Sequence, residues 1–308
     1  MYGGARRKST RCVTARTGAG PNGPISPIRE YEVWSAFSFE VLGGRKRRFA
    51  RHTTGTMKTL ALALLASAAS ALPAFAADAA ITAAYQDVLQ RGLTPGPDGV
   101  LLFDYAAAVG NDDHEAIEAF IADQAMAAPS AMSETDALAY WANLYNAVTL
   151  DVVLDAYPIR SIRQFGTFNT GPWDRDVVTV EGETLSLNDI EHGKMRGQYP
   201  SPYIHYMVNC ASIGCPNLLP DLWSGDTLDA DQKRAARAYV NSDRGLSWTG
   251  RTLGVSKIYK WYADDFGTKD ELRAHLATYA EGDKRDALTA GKPFRGSHYD
   301  WDLNETPR

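Results

Sequence analysis

Two cysteines are the residues of this sequence with the clearest potential for chemistry. Cys210 and Cys215 are separated by four residues and directly follow the alternating segment YIHYMVN at positions 203–209. A cysteine thiolate is a nucleophile and a metal ligand, and two neighbouring thiols can also form a disulfide. The side chains around the pair and the compartment of the protein decide among these three uses.

A nucleophilic cysteine needs a base within hydrogen-bonding reach and a third group that orients this base. We therefore predict a catalytic set with Cys210 as the nucleophile, His192 as the base and Glu191 as the orienting group. The alternative base is His298, with Asp300 two positions later on the same face of a predicted strand. The residues predicted to bind substrate are Tyr145, Asn146, His205 and Asn209.

Several of these residues also have a purely structural explanation. The segment NDIEHGKMR at 188–196 predicts a short helix, in which Asn188 is the N-cap and Glu191 completes a capping box. His205 could equally be a core imidazole of the strand predicted over residues 203–209. The sequence alone leaves the structural and the functional explanations open.

A disulfide between Cys210 and Cys215 is the main alternative to a nucleophile. Closing so short a loop contributes at most about 2 kcal/mol of chain entropy, so its main effect would be to hold the loop in one conformation. A permanent disulfide would remove the nucleophilic thiol. The stapled protein would then be a non-catalytic binding or scaffold domain.

Metal and redox chemistry are less favoured by the spacing. Cys210 and Cys215 with His192 and His205 would make a Cys2His2 zinc set, but the C-x4-C spacing is wider than that of common zinc ligand pairs. It is also not the C-x-x-C spacing of redox-active thiols. No phosphate loop, nucleotide fingerprint or H-E-x-x-H motif is present in the sequence, so we expect no metal and no cofactor.

Residues 57–76 have the pattern of a secretory signal peptide. Lys58 precedes an apolar Leu/Ala run that ends at Pro73, and Ala74-Phe75-Ala76 is a small-x-small cleavage site. We predict cleavage after Ala76, no stable membrane insertion afterwards, and a periplasmic or secreted protein. Cys210 and Cys215 are the two cysteines of residues 77–308, and disulfides persist in such a compartment.

Residues 1–56 are unlike the rest of the chain. They contain 11 Lys and Arg residues and 3 acidic residues, and they are rich in Gly, Pro and Ser. A signal peptide is read near the start of a chain. We therefore predict that translation begins at Met57, and the alternative is a disordered basic extension.

The predicted mature chain, residues 77–308, is acidic. It holds 20 basic and 34 acidic residues, a net charge of −14. Such a charge disfavours a nucleic-acid partner and keeps a secreted protein soluble. The partner that we expect is a small molecule or a peptide. A chain of this length can bury one substantial core, which predicts a single domain.

The pattern of helices and strands predicts an α+β fold, with a helical first half packed on a small, mostly antiparallel sheet. The predicted helices are 79–91, 113–126, 133–157, 188–196, 227–242, 256–267 and 268–280. The predicted hairpins are 176–187, which turns at Glu181-Gly182, and 246–255; the predicted strands are 203–209 and 294–304, and residues 281–293 are a predicted linker. Ser133 with Asp136 and Thr268 with Glu271 have the spacing of capping boxes at the start of two of the helices.

Four motifs resemble one known family. They are YWANLYNAVTL at 140–150, SLNDIEHGKMR at 186–196, IHYMVNCASIGCP at 204–216, and KIYKWYADDFG with YDWDLN near the end of the chain. In this order they resemble the family named domain of unknown function 547, whose members include secreted or periplasmic bacterial proteins and plant proteins. The resemblance covers about residues 130–304.

The resemblance implies a fold similar to those of the papain-like and transglutaminase-like thiol enzymes. It does not imply a particular activity. His192 lies inside the family motif IEH, which favours it over His298, although it precedes Cys210 and so reverses the papain-like order. We therefore predict a thiol-dependent hydrolase or acyl transferase that acts on amide or peptide substrates. The alternative function is the stapled binding or scaffold domain.

Overall fold

The computed structural model describes residues 72–165 and 171–307, which all lie in one compact unit, Thr56–Arg308. The predicted extension at 1–56 and residues 57–71 of the predicted signal peptide lie outside the described residues. The predicted cleavage point after Ala76 falls within the first described helix.

The described residues form helices and short strands, which confirms the predicted α+β class. The α-helices are α1 (Leu72–Gly92), α2 (Tyr105–Gly110), α3 (Asp113–Ala125), α4 (Glu134–Ala156), α5 (Leu228–Asn241), α6 (Ile258–Trp261), α7 (Ala263–Phe266), α8 (Lys269–Tyr279) and α9 (Gly282–Thr289). A π-helix covers Asp189–Arg196, and a 3₁₀ helix covers Pro202–Tyr206.

Seven strands pair in three small sheets within the described ranges. They are β1 (Leu93–Pro95), β2 (Leu101–Phe103), β3 (Asp176–Val180), β4 (Glu183–Ser186), β5 (Leu246–Trp248), β6 (Leu253–Ser256) and β7 (Phe294–His298). The pairs β1–β2, β3–β4 and β5–β6 are antiparallel, and β7 pairs with β6 in parallel. The small sheets are therefore mostly antiparallel, as predicted.

Helix α4 is the central buried element. Ser133 caps it by accepting a hydrogen bond from the backbone N–H of Asp136 at 3.2 Å. Most side chains from Ala137 to Leu154 are buried on every side of the helix, which is typical of a helix inside a core. Asn146 is one of its buried polar residues and accepts a hydrogen bond from the backbone N–H of Asn209, the residue before Cys210.

Several local predictions are confirmed. The β3–β4 hairpin turns at Glu181 and Gly182, both with positive φ (49° and 81°), as a tight hairpin turn requires. Thr268 and Glu271 form the predicted capping box of α8. The helix predicted over 256–267 is divided into α6 and α7 at Tyr262, whose backbone is not helical.

Two local predictions are wrong. Residues 203–209 are not a strand, because Ser201 and Pro202 begin a 3₁₀ helix at this point and the Ser201 side chain accepts a hydrogen bond from Tyr203 N–H. Residues 281–293 are not a linker throughout, since α9 occupies most of them and packs on α8. As for membrane insertion, none of the helices in the described part of the chain has the length and apolar character of a bilayer span.

Candidate functional site

A pocket of about 180 Å³ contains both cysteines and several residues predicted to be functional. Its aromatic wall consists of Tyr145, Trp173, Trp261, Tyr262, Tyr299 and Trp301. Its polar groups are Asn188, Glu191, His205 and the sulfur atoms of Cys210 and Cys215. The pocket is therefore mainly apolar with a few converging polar groups, which is typical of a small-molecule site.

The π-helix positions Glu191 in this pocket. The cap of this helix is formed by Ser186 and Asp189: Ser186 N–H donates to Asp189 Oδ2 at 2.9 Å, and Asp189 N–H donates to Ser186 Oγ at 3.1 Å. Asn188 already has helical backbone angles and makes no side-chain cap. The predicted capping role of Glu191 is therefore wrong. Its side chain lines the pocket, and the residue is 6% exposed. π-helical turns are often found at functional sites.

His205 is held in one orientation by Asp265. Its Nε2 lies 2.6 Å from Asp265 Oδ2, and Arg196 binds both oxygens of the same carboxylate at 2.6 and 2.9 Å. A carboxylate only accepts hydrogen bonds, so Nε2 carries the proton. Burial lowers the pKa of His205, although hydrogen bonding to Asp265 opposes the shift. We conclude that His205 is a neutral imidazole at pH 7.

The second nitrogen of His205 faces Glu191 without a hydrogen bond. Nδ1 of the neutral ring is an acceptor, and it is buried and has no partner in the structure. It lies 4.0 Å from Glu191 Oε1, which is also an acceptor. Two acceptors cannot bond to each other. This edge of the pocket is therefore suited to a donor group that bridges both atoms.

The groups around this edge carry one net negative charge. Arg196 balances Asp265 in a bidentate ion pair, and neutral His205 adds no charge, which leaves the carboxylate of Glu191. Among the described residues that line the pocket, none is a lysine or an arginine. Burial of an uncompensated carboxylate is costly. A cationic ligand would remove this cost.

The aromatic side chains form a continuous wall. Tyr262 stacks on His205 with ring centres 3.9 Å apart, and Tyr299 contacts both Trp261 and Trp301 at 4.8 and 4.6 Å. Burial raises the pKa of Tyr145 well above its usual value, and the charge of Glu191 and a hydrogen bond to it raise it further. The pocket tyrosine hydroxyls therefore stay protonated and neutral at physiological pH.

Cys210 and Cys215 have their sulfur atoms at disulfide-bonding distance, with Cα atoms 6.3 Å apart. The backbone N–H of Cys210 donates to Cys215 Sγ at 3.0 Å. The hydroxyl of Tyr299 lies 2.9 Å from Cys210 Sγ and 3.0 Å from Cys215 Sγ. The predicted disulfide is therefore consistent with the structure, and the pair forms part of the pocket wall.

Asn146 and Asn209, predicted to bind substrate, anchor the cysteine loop, which we define as residues 209–216. Asn146 Oδ1 accepts from Asn209 N–H at 2.8 Å, and Asn146 Nδ2 donates to Met207 O at 2.9 Å. Asn209 Nδ2 donates to Pro216 O at 2.7 Å, which closes the loop. Neither asparagine is among the residues that line the pocket. Of the predicted binding residues, Tyr145 and His205 do line it.

The two histidines considered as the base lie elsewhere. His192 is exposed, and its Nδ1 is 3.1 Å from the Arg196 guanidinium. The ring of His298 is hydrogen bonded to the backbone oxygens of Asp243 and Arg244 at 2.8 and 3.1 Å. Neither histidine lines the pocket, whereas His205 does.

Two sets of residues have donor atoms suitable for a metal. In the zinc set considered above, the sulfur atoms are paired with each other and His192 is exposed. His114, Glu118 and Asp151 have ligand atoms within 4.8 Å of one another. However, His114 Nε2 already contacts Asp151 Oδ1 at 2.8 Å, so this nitrogen is satisfied within the protein.

Sequence reasoning missed Asp265, Arg196 and most of the aromatic wall. Asp265 lies in the segment KIYKWYADDFG and Trp301 lies in YDWDLN, two of the motifs that carry the family resemblance. Those motifs were the available signal. These residues are far from His205 in the sequence, so their position beside it could not be predicted from the spacing of residues.

Comparison with known proteins supports the resemblance for part of the chain. Residues 129–240 match the model of a family described as Protein of unknown function, DUF547. The matched region contains α4, the π-helix and the cysteine loop. Asp265 and the aromatic residues from Trp261 to Trp301 lie outside it. Searches of the curated proteins and of the solved structures found no match.

Proposed function

We propose that this protein binds a small molecule that carries a primary ammonium group. One observation carries the proposal: His205 Nδ1 is a buried acceptor without a hydrogen-bond partner in the described part of the chain, and it lies 4.0 Å from the carboxylate oxygen Oε1 of Glu191. A primary ammonium has several N–H donors and can bond to both atoms at once. A neutral donor would satisfy the hydrogen bonds but would leave the charge of Glu191 uncompensated.

The aromatic wall supports the same class of ligand. The faces of Trp and Tyr rings attract cations, and such contacts contribute about 0.5–2 kcal/mol. The pocket volume of about 180 Å³ is below the roughly 300–1,000 Å³ typical of pockets for drug-sized ligands. The ligand is therefore a small amine, or the part of a larger molecule that carries the amine.

Calorimetric titration with three simple probes tests this proposal. n-Butylammonium has the charge and the N–H donors, n-butanol lacks the charge, and tetramethylammonium lacks the donors. We expect n-butylammonium to bind about tenfold or more tightly than either of the others, because hydrogen bonds to charged groups are worth about 1.5–3 kcal/mol. Equal affinity for n-butanol and n-butylammonium would refute the proposal.

A matched pair of variants locates the binding site. Glu191→Gln keeps the shape of the side chain but removes its charge, and we expect it to weaken n-butylammonium binding about tenfold or more. Glu281→Gln is the control, because Glu281 forms an exposed ion pair with Arg237 and does not line the pocket. The control variant should bind like the unmodified protein.

A thiol-dependent hydrolase or acyl transferase is the second candidate function. It is favoured by the presence of Cys210 in the same pocket as His205, whose ring is oriented by Asp265. In this version the base is His205 instead of His192, and the disulfide must first be reduced to release the nucleophile. Amide and peptide compounds remain the proposed substrate class.

Alkylation rates test this second candidate. After reduction, iodoacetamide should label Cys210 rapidly at neutral pH if His205 activates the thiol. His205→Gln should slow this labelling, whereas His192→Gln should not, because His192 is exposed and does not line the pocket. Equal labelling of all three proteins would exclude activation by His205.

We also propose that the protein is exported. This proposal rests on the signal-peptide pattern at residues 57–76 and on the pairing of Cys210 with Cys215, which suits an oxidising compartment. Intact-mass analysis of the protein from its native cells would test it. The expected product begins at Ala77, and a product that begins at Met1 would contradict export.

A further inference from the structure

We propose that Cys210 and Cys215 form a redox-active pair that exchanges its disulfide with a thiol bound in the pocket. This activity goes beyond ammonium binding and does not depend on it. It rests on three observations: the sulfurs differ in exposure, the cysteine loop is held by other bonds, and donors surround the buried sulfur.

The two sulfurs differ in their access to a reactant. Both cysteines line the pocket, but Cys210 is partly exposed whereas Cys215 is 4% exposed. An incoming thiolate therefore reaches the sulfur of Cys210 first. The outcome of thiol–disulfide exchange depends on which sulfur is attacked. This difference therefore makes Cys210 the attacked sulfur and Cys215 the leaving sulfur.

The loop does not need the disulfide to keep its shape. Backbone N–H groups of Ile213 and Gly214 donate to the oxygens of Asp302 and Asp300, each at 2.8 Å. Arg244 donates to Cys215 O at 2.6 Å, in addition to the closure of the loop by Asn209. After reduction, these bonds would keep the two thiols next to each other and ready to re-oxidise.

The packing around Gly214 strengthens this argument. A Cβ atom at this position would lie 2.8 Å from the backbone nitrogen and oxygen of Asp300, so the loop and the chain end are in close backbone contact. Ala211 has φ of 55°, and its N–H is held by Asn209 Oδ1 at 2.8 Å. This backbone conformation is therefore fixed by contacts that reduction does not break.

Donors around Cys215 would stabilise it as a leaving thiolate. The N–H of Cys210 donates to its sulfur at 3.0 Å, and the hydroxyl of Tyr299 lies 3.0 Å from it and 2.9 Å from Cys210 Sγ, so this hydroxyl can turn to whichever sulfur becomes the thiolate. Burial raises the pKa of Tyr299, so this hydroxyl keeps its proton. A leaving thiol with stabilised negative charge departs faster, and stabilisation of the reduced state makes the disulfide a stronger oxidant.

The reaction balances with two thiol molecules. A thiolate attacks Cys210 Sγ, the bond between the two sulfurs breaks, and its electron pair goes to Cys215. A second thiolate then attacks the outer sulfur of the mixed disulfide and releases Cys210. The two thiols are oxidised to one disulfide, the protein disulfide is reduced by two electrons, and the two thiol protons end on the cysteines.

The first test is reduction of the folded protein. Native protein is incubated with dithiothreitol, alkylated with iodoacetamide and weighed as an intact chain. We expect two alkyl groups to be added without denaturant, while the reduced protein keeps its near-ultraviolet circular dichroism. Reduction that requires denaturant, or that unfolds the protein, would overturn the proposal.

The second test uses single-cysteine variants and cystamine, a small disulfide. Cys215→Ser should form a mixed disulfide at Cys210 about tenfold or more faster than Cys210→Ser does at Cys215, because Cys210 is the more exposed of the two. Equal rates would refute the assigned order of attack. The circular dichroism of both variants shows whether they are folded.

The role of Tyr299 is tested by removing its hydroxyl. Tyr299→Phe should slow reduction of the native disulfide and should raise the pH at which Cys215 is alkylated after reduction. Tyr203→Phe is the control, since it removes a hydroxyl that contacts Tyr279 and does not line the pocket. Unchanged rates in Tyr299→Phe would show that the hydroxyl does not act on the sulfurs.

Discussion

Two histidine–carboxylate pairs in the described part of the chain differ in burial. His205 is 2% exposed and bonds to Asp265 at 2.6 Å, whereas the side chain of His114 is 22% exposed and bonds to Asp151 at 2.8 Å. Burial lowers the pKa of His205, but the hydrogen bond to Asp151 raises the pKa of His114. The same pair of side chains therefore contains a neutral imidazole at His205 and favours a protonated imidazole at His114.

The difference shows what makes the pocket a better candidate site. His114 and Asp151 satisfy each other, so their pair needs no ligand. In the pocket, Asp265 is satisfied by Arg196, and His205 still has an acceptor to offer. A ligand is expected where the protein leaves polar atoms unmatched, and the following predictions test this comparison.

The largest expected effect is that of removing the Asp265 carboxylate, which binds both Arg196 and the buried His205. Asp265→Asn leaves Arg196 without its bidentate partner and removes the group that orients His205, so we expect a loss of about 3 kcal/mol in unfolding free energy. Asp151→Asn should cost about 1 kcal/mol or less, because the histidine side chain that it binds is 22% exposed, against 1% for His205. Urea denaturation measures both, and similar losses would remove the contrast between the two pairs.

The pH dependence should separate the two histidines. The depressed pKa of His205 means that its contribution to stability is present above its unfolded pKa of about 6.5 and is lost as the pH falls below it. His275 acts in the same direction, because burial lowers its pKa to about 4. The raised pKa of His114 gives a contribution that is present below pH 6.5 and is lost as the pH rises.

We therefore expect the unfolding free energy to decrease by up to about 2 kcal/mol between pH 6.5 and pH 4, since one pKa unit corresponds to about 1.4 kcal/mol and partial exposure reduces the full value. Denaturation at several pH values measures this decrease. NMR titration of the imidazole protons assigns it, with His114 titrating above its usual range and His205 below. The reverse order would contradict the comparison.

Glu191→Gln should stabilise the ligand-free protein while it weakens ammonium binding. It removes a buried charge that tyrosine hydroxyls bond to but that no lysine or arginine of the described pocket lining neutralises, so we expect a gain of about 1 kcal/mol in unfolding free energy. Glu183→Gln is the matched control, because Glu183 is exposed and paired with Lys194. A loss of stability in Glu191→Gln would mean that the hydrogen bonds from the tyrosine hydroxyls outweigh the cost of burying the charge.

The smallest expected effect is that of one aromatic ring. Trp261 is 47% exposed, so Trp261→Leu should leave the core intact and should weaken n-butylammonium binding about threefold, the equivalent of about 0.7 kcal/mol. Trp248→Leu changes a half-buried ring of β5 that does not line the pocket. Calorimetry on both variants should show a change only in the first.

Much of the fold could be predicted because its signals are local. Ser133 and Asp136, Thr268 and Glu271, and the Glu181-Gly182 turn all act over a few residues, and the structure confirms them. The segment YIHYMVN misled because residues 204–209 are all buried, so its alternation of side chains does not mark an inner and an outer face, and Ser201 and Pro202 start a 3₁₀ helix there. The sequence also does not show whether a neighbouring strand is available to pair with this segment.

The site was only partly predictable for the same reason. Cys210, Glu191, Tyr145 and His205 were identified by residue type and motif, and the structure places all four in one pocket. Asp265 is 60 residues from His205 in the chain, so only the tertiary fold brings them together. His192 was preferred for its position in a motif, but its side chain lies on the exposed side of the π-helix.

The π-helix also determines how the chain could tolerate insertions and deletions. A hydrogen bond from residue i to i+5 places one more residue in each turn than an α-helix does. Deleting a single residue between Asp189 and Glu191 would favour ordinary α-helical winding, and Glu191 would then take a different angle around the helix axis. The Glu191 carboxylate would then leave the pocket, although every residue that contacts it would still be present. Ligand binding would be lost because the side chain points elsewhere, and not because a residue of the site has been replaced.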